Sequence, residues 1–234
     1  MSLRQAQLQT PKGTLPYLLK LSSKGPGAPL VVFLHGAKDR GNDPSKLLAW
    51  GFPKFVSESG DLPYHWLALQ IPEGATWPQW QEELFSLVDI LHPEHGARRV
   101  VLAGFSLGSA GAWQIADANP DRVSGLVIVS GRLPETVTAV NLARLRNVPT
   151  WIFHGGSDDK APVSQAIEAY EILRKIGTPS RLSLIADGDH FIADRVYPSA
   201  ALQQWLASED KASFPAEAAP AAVSKDAVLA SASV

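Results

Sequence analysis

Cysteine is absent from all 234 residues. That excludes a disulfide framework, a thiolate nucleophile and a Cys-ligated metal. Charge is sparse: 19% of residues are charged, the net charge is −2 and the pI is near 6.3. No basic block is present, so nucleic acid is not an expected partner. No apolar run approaches the length that spans a bilayer. The first residues, Met1-Ser2-Leu3-Arg4-Gln5-Ala6-Gln7, lack the apolar core of a secretion signal, and a cytoplasmic location is expected. From Ser208 onward large apolar side chains are few among Ala, Ser, Pro and Val. Such a segment cannot offset its ordering entropy, so 208–234 is expected to be a flexible tail behind a single domain at 1–207.

What is present is enough for one full-sized core, with 45% hydrophobic residues and no internal repeat. Leu30-Val31-Val32-Phe33-Leu34 is apolar without alternation, as a parallel strand buried on both faces requires. Comparable runs occur at His65–Ile71, Arg99–Ala103, Arg122–Val129, Val148–Phe153 and Arg181–Ile185. An early strand is expected at 14–21, with Pro16 pushing it towards a sheet edge. Between the strands, helical spacing marks Gln79–Leu91, the segment after Ser106, Val163–Ile176 and a closing helix at Asp194–Leu206. Pro44–Ser59 reads as helical but broken near Gly51-Phe52-Pro53. Strands alternating with helices predict an α/β fold, a mostly parallel twisted sheet with helices on both faces. Ligands in such sheets sit at the carboxyl ends of the strands.

Gly104-Phe105-Ser106-Leu107-Gly108 stands between a predicted strand and a predicted helix. This is G-x-S-x-G in the setting that motif needs: a sharp turn that lifts the serine hydroxyl clear of the sheet. A Cβ at either glycine is expected to collide with the neighbouring strand or helix. A serine hydroxyl needs a base, and the base needs a third group to fix its tautomer. Of the six histidines, His92 and His95 are expected to face solvent and His65 lies at the wrong end of its strand. His35 and His154 precede glycines where they would shape loops. His190, on the last loop, can swing over the sheet and is assigned as base. The acid should fall between nucleophile and base in chain order, which leaves Asp158 and Asp159. Backbone N–H groups of Leu107 and Ala37 are expected to hold an oxyanion. His35, Trp77 and Phe105 are candidate pocket residues; packing is the competing role for Trp77. His154, Asp158, Asp159 and His190 match no H-x-x-x-H ligand spacing, so neither metal nor cofactor is expected.

The ordered set Leu34-His35-Gly36, Gly104-Phe105-Ser106-Leu107-Gly108, His154-Gly155 with Asp158 and Pro162, and His190 resembles an α/β-hydrolase. It is most similar to the small serine esterases of the phospholipase/carboxylesterase type, which merge with dienelactone-hydrolase-like and "predicted peptidase" esterases. The loop His35-Gly36-x-x-Asp39-Arg40-Gly41-Asn42-Asp43 and the helix exit Asn119-Pro120-Asp121-Arg122 are similar too. The likeness covers roughly residues 28–206. It implies Asp158 as the acid, four residues after His154 and four before Pro162. The chain departs in having Ser106 where dienelactone hydrolases have cysteine, and Ala37-Lys38 where glycine is frequent. The implied function is hydrolysis of carboxylic esters through an acyl-enzyme. Thioesters and peptides are alternative substrates, and a non-catalytic binding protein on the same fold is the alternative of another class. The connection from Ser130 to Asn147 is too short for a large lid, so a small-molecule ester with a short or medium acyl group is expected. A histidine base predicts activity that rises with pH through about 6.5; a rate profile flat from about pH 5 to 8 would contradict it.

Overall fold

Eight strands follow one another as β1 (Arg4–Thr10), β2 (Gly13–Lys20), β3 (Leu30–Leu34), β4 (His65–Leu69), β5 (Val100–Phe105), β6 (Gly125–Val129), β7 (Thr150–Gly155) and β8 (Ser180–Ile185). They come from a computed structural model that describes residues 2–25, 27–95 and 100–215, with the side chains of 92–95 excepted. The expected orientation of His92 and His95 lies outside the described side chains. Strands β3 to β7 are buried at every residue. Their side chains alternate between faces, so each strand feeds two cores. Val32, Leu102, Ile128 and Ile152 pack on one face with Leu84, Ile115 and Leu173. Those three belong to α2 (Gln81–His95), α3 (Leu107–Ala118) and α5 (Val163–Lys175). On the other face Val31, Phe33, Ala103, Val127 and Phe153 meet Phe52, Val196 and Leu202. These come from α1 (Gly51–Glu58), α6 (Ala193–Val196) and α7 (Ala200–Ala207).

The sheet order is β1-β2-β4-β3-β5-β6-β7-β8. β2 is antiparallel to both its neighbours; all pairs from β4 to β8 are parallel. The chain leaves β3 for β4 on one side and then returns to β5 on the other. This reversal makes β3 and β5 the switch point, where an open sheet leaves a crevice at its carboxyl edge. Leu34 is level with Gly104 there. The connection after β6 carries only α4 (Ala139–Leu142) and a 3₁₀ turn, Ala143–Leu145, and forms no large lid.

Four features depart from the sequence reading. The edge strand is β1, a polar segment, and β2 with Pro16 is interior. Pro16 is accommodated because its carbonyl accepts from Gln70 N–H at 2.9 Å. Its donorless nitrogen faces the same side, where β4 has ended at Leu69. Second, the 44–58 segment is a 3₁₀ helix, Pro44–Ala49, followed by α1, with the break at Trp50. Third, the closing helix is two helices, interrupted at Tyr197-Pro198-Ser199, where proline cannot donate to the preceding turn. Fourth, of the expected tail at 208–234, residues 208–215 are packed, and 216–234 lie outside the described residues. Lys211 Nζ donates to the carbonyls of Leu206 at 2.9 Å and Ser208 at 3.0 Å, and Phe214 stacks on Trp205 at 5.6 Å.

The tightest contact at the switch point is testable. A Cβ on Gly108 would lie 1.8 Å from the Leu34 carbonyl oxygen. Gly108→Ala should therefore cost about 3 kcal/mol, the upper end for overpacking, read as a lowered urea midpoint. Gly60→Ala, where a Cβ meets nothing within 4 Å, is the control. Equal midpoints for the two variants would disprove the close approach.

Candidate active site

Ser106 joins β5 to α3 with φ 53° and ψ −115°, a torsion pair that strains any residue with a side chain. The surroundings hold it there. Ser106 N–H donates to Val129 O at 3.0 Å, tying the turn to β6. Ser109 Oγ accepts from Val129 N–H at 3.0 Å and lies 2.9 Å from Gly104 O. Tyr197 Oη donates to the same Gly104 carbonyl at 3.1 Å. The flanking glycines are demanded by space. A Cβ on Gly104 would sit 2.4 Å from Gly108 O, and one on Gly108 would strike β3. The hydroxyl is thus raised above the sheet at the start of α3.

The loops after β7 and β8 bring two further groups to it. His190 Nε2 lies 2.9 Å from Ser106 Oγ, and His190 Nδ1 lies 3.0 Å and 2.9 Å from the two Asp158 oxygens. A carboxylate only accepts, so Nδ1 carries the proton, and Nε2 is left to accept from the serine hydroxyl. Burial pushes the Asp158 carboxyl up, but N–H groups of Ala161 and Lys160, together with His190, outweigh it and hold the pKa below the usual carboxylate value. Those N–H groups stand 2.8 Å and 2.9 Å from Oδ1. His154, fully buried, places Nε2 2.8 Å from Ala161 O and 3.3 Å from Asp158 Oδ2. Since the carbonyl must accept, this nitrogen donates. Asp159 points outward and pairs with Lys160 at 3.2 Å. Hydroxyl, imidazole and carboxylate linked in this order can move a proton off the serine while it attacks an electrophile.

The loop after β3 forms the facing wall. Ala37 opens a 3₁₀ turn, Ala37–Asp39, and lines the cavity beside Ser106. Leu107 is the first residue of α3, where backbone N–H groups have no acceptor within the helix. His35 and Trp77, expected as pocket residues, do not line the cavity. Both are fully buried and brace the loop from behind. Trp77 Nε1–H donates to His35 O at 3.1 Å. His35 Nδ1–H donates to Gly36 O at 2.8 Å while its Nε2 accepts from Ile71 N–H at 3.1 Å. That bonding uses the neutral ring, and burial lowers the His35 pKa to about 4. Phe105, the third expected pocket residue, does line the cavity.

The cavity above Ser106 measures about 400 Å³ and opens to solvent. Its walls include Trp50, Asp39 and Phe191, with Lys38 and Lys160 at its edge. Sequence reading singled out none of these as site residues. Phe191 could have been found from its place beside His190; Trp50 carries no such signal. Phe191 is 43% exposed, and both lysine ammonium groups lie over its ring, at 5.6 Å and 6.0 Å. Burial raises the Asp39 pKa, opposed by the hydrogen bond from Trp50. Among the described residues no helix is long and apolar enough to cross a membrane.

Solved structures share the fold. A thermostable esterase superposes with a TM-score of 0.71 at 21% identity, covering 88% of this chain and 62% of that one. Est1E from Butyrivibrio proteoclasticus superposes with a TM-score of 0.66 at 14% identity, covering 86% and 97%. The fold is that of the α/β-hydrolases. Within that class, the sequence profile of the family described as Phospholipase/Carboxylesterase matches residues 78–201, and the chain belongs to this family. Esterase YpfH of Escherichia coli (strain K12) is 30% identical over 103 residues, 43% of this chain. That match spans 41% of the relative's own length.

The neutral His35 has a pH consequence. Its folded pKa of about 4 lies below the unfolded value of ~6.5, so its contribution is present above ~6.5 and is lost as pH falls towards 4. The loss amounts to about 3 kcal/mol. Unfolding free energies measured across that window should fall less steeply for His35→Gln than for the wild type. Parallel curves would rule out a buried neutral His35.

Proposed function

We propose that the protein hydrolyses carboxylic esters through an acyl-enzyme intermediate. Ser106 Oγ attacks the ester carbonyl carbon as His190 Nε2 takes its proton. Asp158 fixes the His190 tautomer and stabilises the imidazolium that forms. The N–H groups of Leu107 and Ala37 are assigned to the oxyanion. The tetrahedral intermediate collapses, the C–O bond to the alcohol breaks, and His190 returns its proton to the leaving oxygen. Water then enters, loses a proton to His190 and attacks the acyl carbon; the bond from that carbon to Ser106 Oγ breaks, and His190 returns the proton to Oγ. The observation that carries this reading is His190 bridging Ser106 Oγ at 2.9 Å and both Asp158 oxygens. Membership of a carboxylesterase family supports the ester as substrate.

The open, mainly apolar cavity suits a short or medium acyl group. The purified protein should turn over p-nitrophenyl acetate and butyrate, and a fluorophosphonate should label it. Ser106→Ala should abolish both. Asp158→Asn should lower kcat by about 10⁴-fold, as loss of the tautomer-fixing carboxylate does elsewhere, with KM little changed. Turnover that survives in Ser106→Ala would refute the serine mechanism.

A further inference from the structure

The loops that carry Asp158 and His190 are stitched together backbone to backbone. Gly156 N–H donates to Ile185 O at 2.8 Å, and Ser157 N–H donates to Gly188 O at 2.9 Å. A Cβ on Gly155 would lie 2.2 Å from Asp189 O, so nothing larger than glycine fits there between the loops. This stitching sets how far apart the two loops stand. It does not set the way the Asp158 carboxylate points.

That carboxylate is held by two different means. Its Oδ1 accepts from the N–H groups of Lys160 and Ala161, at 2.9 Å and 2.8 Å, in the turn that follows it. Those bonds anchor one oxygen and leave the other to pivot about it. Near Oδ2 stand His190 Nδ1 at 2.9 Å and His154 Nε2 at 3.3 Å. His190 is the group that has to be aligned, so it cannot act as the reference. His154 can: it sits on β7, four residues before Asp158, and is fully buried.

The place of the proton on His154 follows from its surroundings. Ala161 O, 2.8 Å from Nε2, can only accept, so Nε2 donates. Burial lowers the His154 pKa, so the ring is neutral at pH 7 and Nδ1 carries a lone pair. That lone pair is buried without a hydrogen-bond partner. An unmet buried acceptor costs stability, a cost that a ring selected for packing alone would avoid. What the imidazole adds over an apolar ring is one N–H. That N–H meets Ala161 O and the open side of Oδ2, which ties the carboxylate to the residue whose own N–H holds Oδ1.

Resting on the esterase reading, we propose that His154 is a positioning residue for the reaction: it keeps a proton on Nε2 and so fixes the Asp158 carboxylate against His190. The proton never leaves His154. Oδ1 is held by the turn and Oδ2 by the sheet, which gives the carboxylate two points of attachment while His190 gains and returns the Ser106 proton. With an apolar ring in place of the imidazole, Asp158 pivots on Oδ1 and meets His190 Nδ1 less squarely. The loss falls on kcat, because neither His154 nor Asp158 lines the cavity above Ser106.

The experiment measures kcat and KM for p-nitrophenyl butyrate in the wild type, His154→Phe and His154→Gln, per active site titrated with fluorophosphonate. His154→Phe should lower kcat about tenfold or more, the worth of a hydrogen bond to a charged group, with KM within about twofold. His154→Gln, whose Nε2–H can reach the same two oxygens, should recover most of that loss. An unchanged kcat in His154→Phe overturns the proposal. So does an equal loss in both variants, which marks the ring as packing alone. If His154→Phe fails to fold, His154→Leu takes its place with the same expectations. Two NMR readouts need no turnover. In wild type carrying isotope-labelled histidine, His154 should hold its proton on Nε2, and a proton on Nδ1 is fatal to the proposal. The His190 Nδ1–H resonance should broaden through faster exchange with water in His154→Phe and stay sharp in His154→Gln; a signal equally sharp in both refutes the positioning role. Wild-type protein inert to the ester and to fluorophosphonate refutes the esterase reading, and the NMR readouts still decide what His154 does to Asp158.

Discussion

The contact between the Gly108 backbone and the Leu34 carbonyl is the constraint on which the site depends. It forces the first turn of α3 against the end of β3, closer than any side chain would permit. Because β3 and β5 are hydrogen-bonded neighbours, that approach also fixes where the chain must turn after Phe105. Ser106 absorbs the turn in strained torsions, a cost of about 1–3 kcal/mol that persists only because the surroundings over-determine it. Ser109 and Tyr197 supply that over-determination by gripping the Gly104 carbonyl. The same approach sets the N-terminal end of α3 beside the loop after β3. Ser106, the proposed nucleophile, and both proposed oxyanion donors thus share one rigid origin.

Three histidines at this edge of the sheet differ through their partners alone. His35 accepts from one backbone N–H and donates to one carbonyl, which suits the neutral ring. His154 donates to Ala161 O and leans on Asp158, and burial lowers its pKa as well. His190 faces a full carboxylate on one side and a hydroxyl on the other. Of the three rings only His190 touches both the Asp158 carboxylate and the Ser106 hydroxyl, as the proposed proton transfer requires. Two of the histidines are therefore braces for loops, and the third can move charge.

Features governed by local chemistry were legible in the sequence. The both-face-buried strands, the elbow and the loops bearing Asp158 and His190 all follow from apolar runs, glycine spacing and chain order. What escaped was decided by tertiary contact. β1 hides because only its Leu8 packs towards the core and the rest, Ala6 apart, is polar. Pro16 misleads because a proline is excluded from an inner strand only where its nitrogen faces a partner. Trp77 could not be placed because an indole beside a loop reads alike whether it faces ligand or core. The residues 208–215 looked unable to order, yet Phe214 finds a ready aromatic surface in Trp151 and Trp205.

The groups proposed to react and most of the cavity walls come from different parts of the chain. Ser106, Asp158 and His190 are set by the ends of three parallel strands, and moving any strand would disturb the core on both faces. Trp50, Asp39 and Phe191 belong to loops and to a break between two short helices. They touch one another, and Trp50 and Phe191 also touch Phe105 at the end of β5. A change at Trp50 reaches the sheet only at Phe105, the last residue of β5, whereas a Cβ on Gly108 strikes the backbone of β3 directly. The walls and the three groups proposed to react are held largely by different parts of the chain, and they meet at Phe105, whose ring touches both Trp50 and His190.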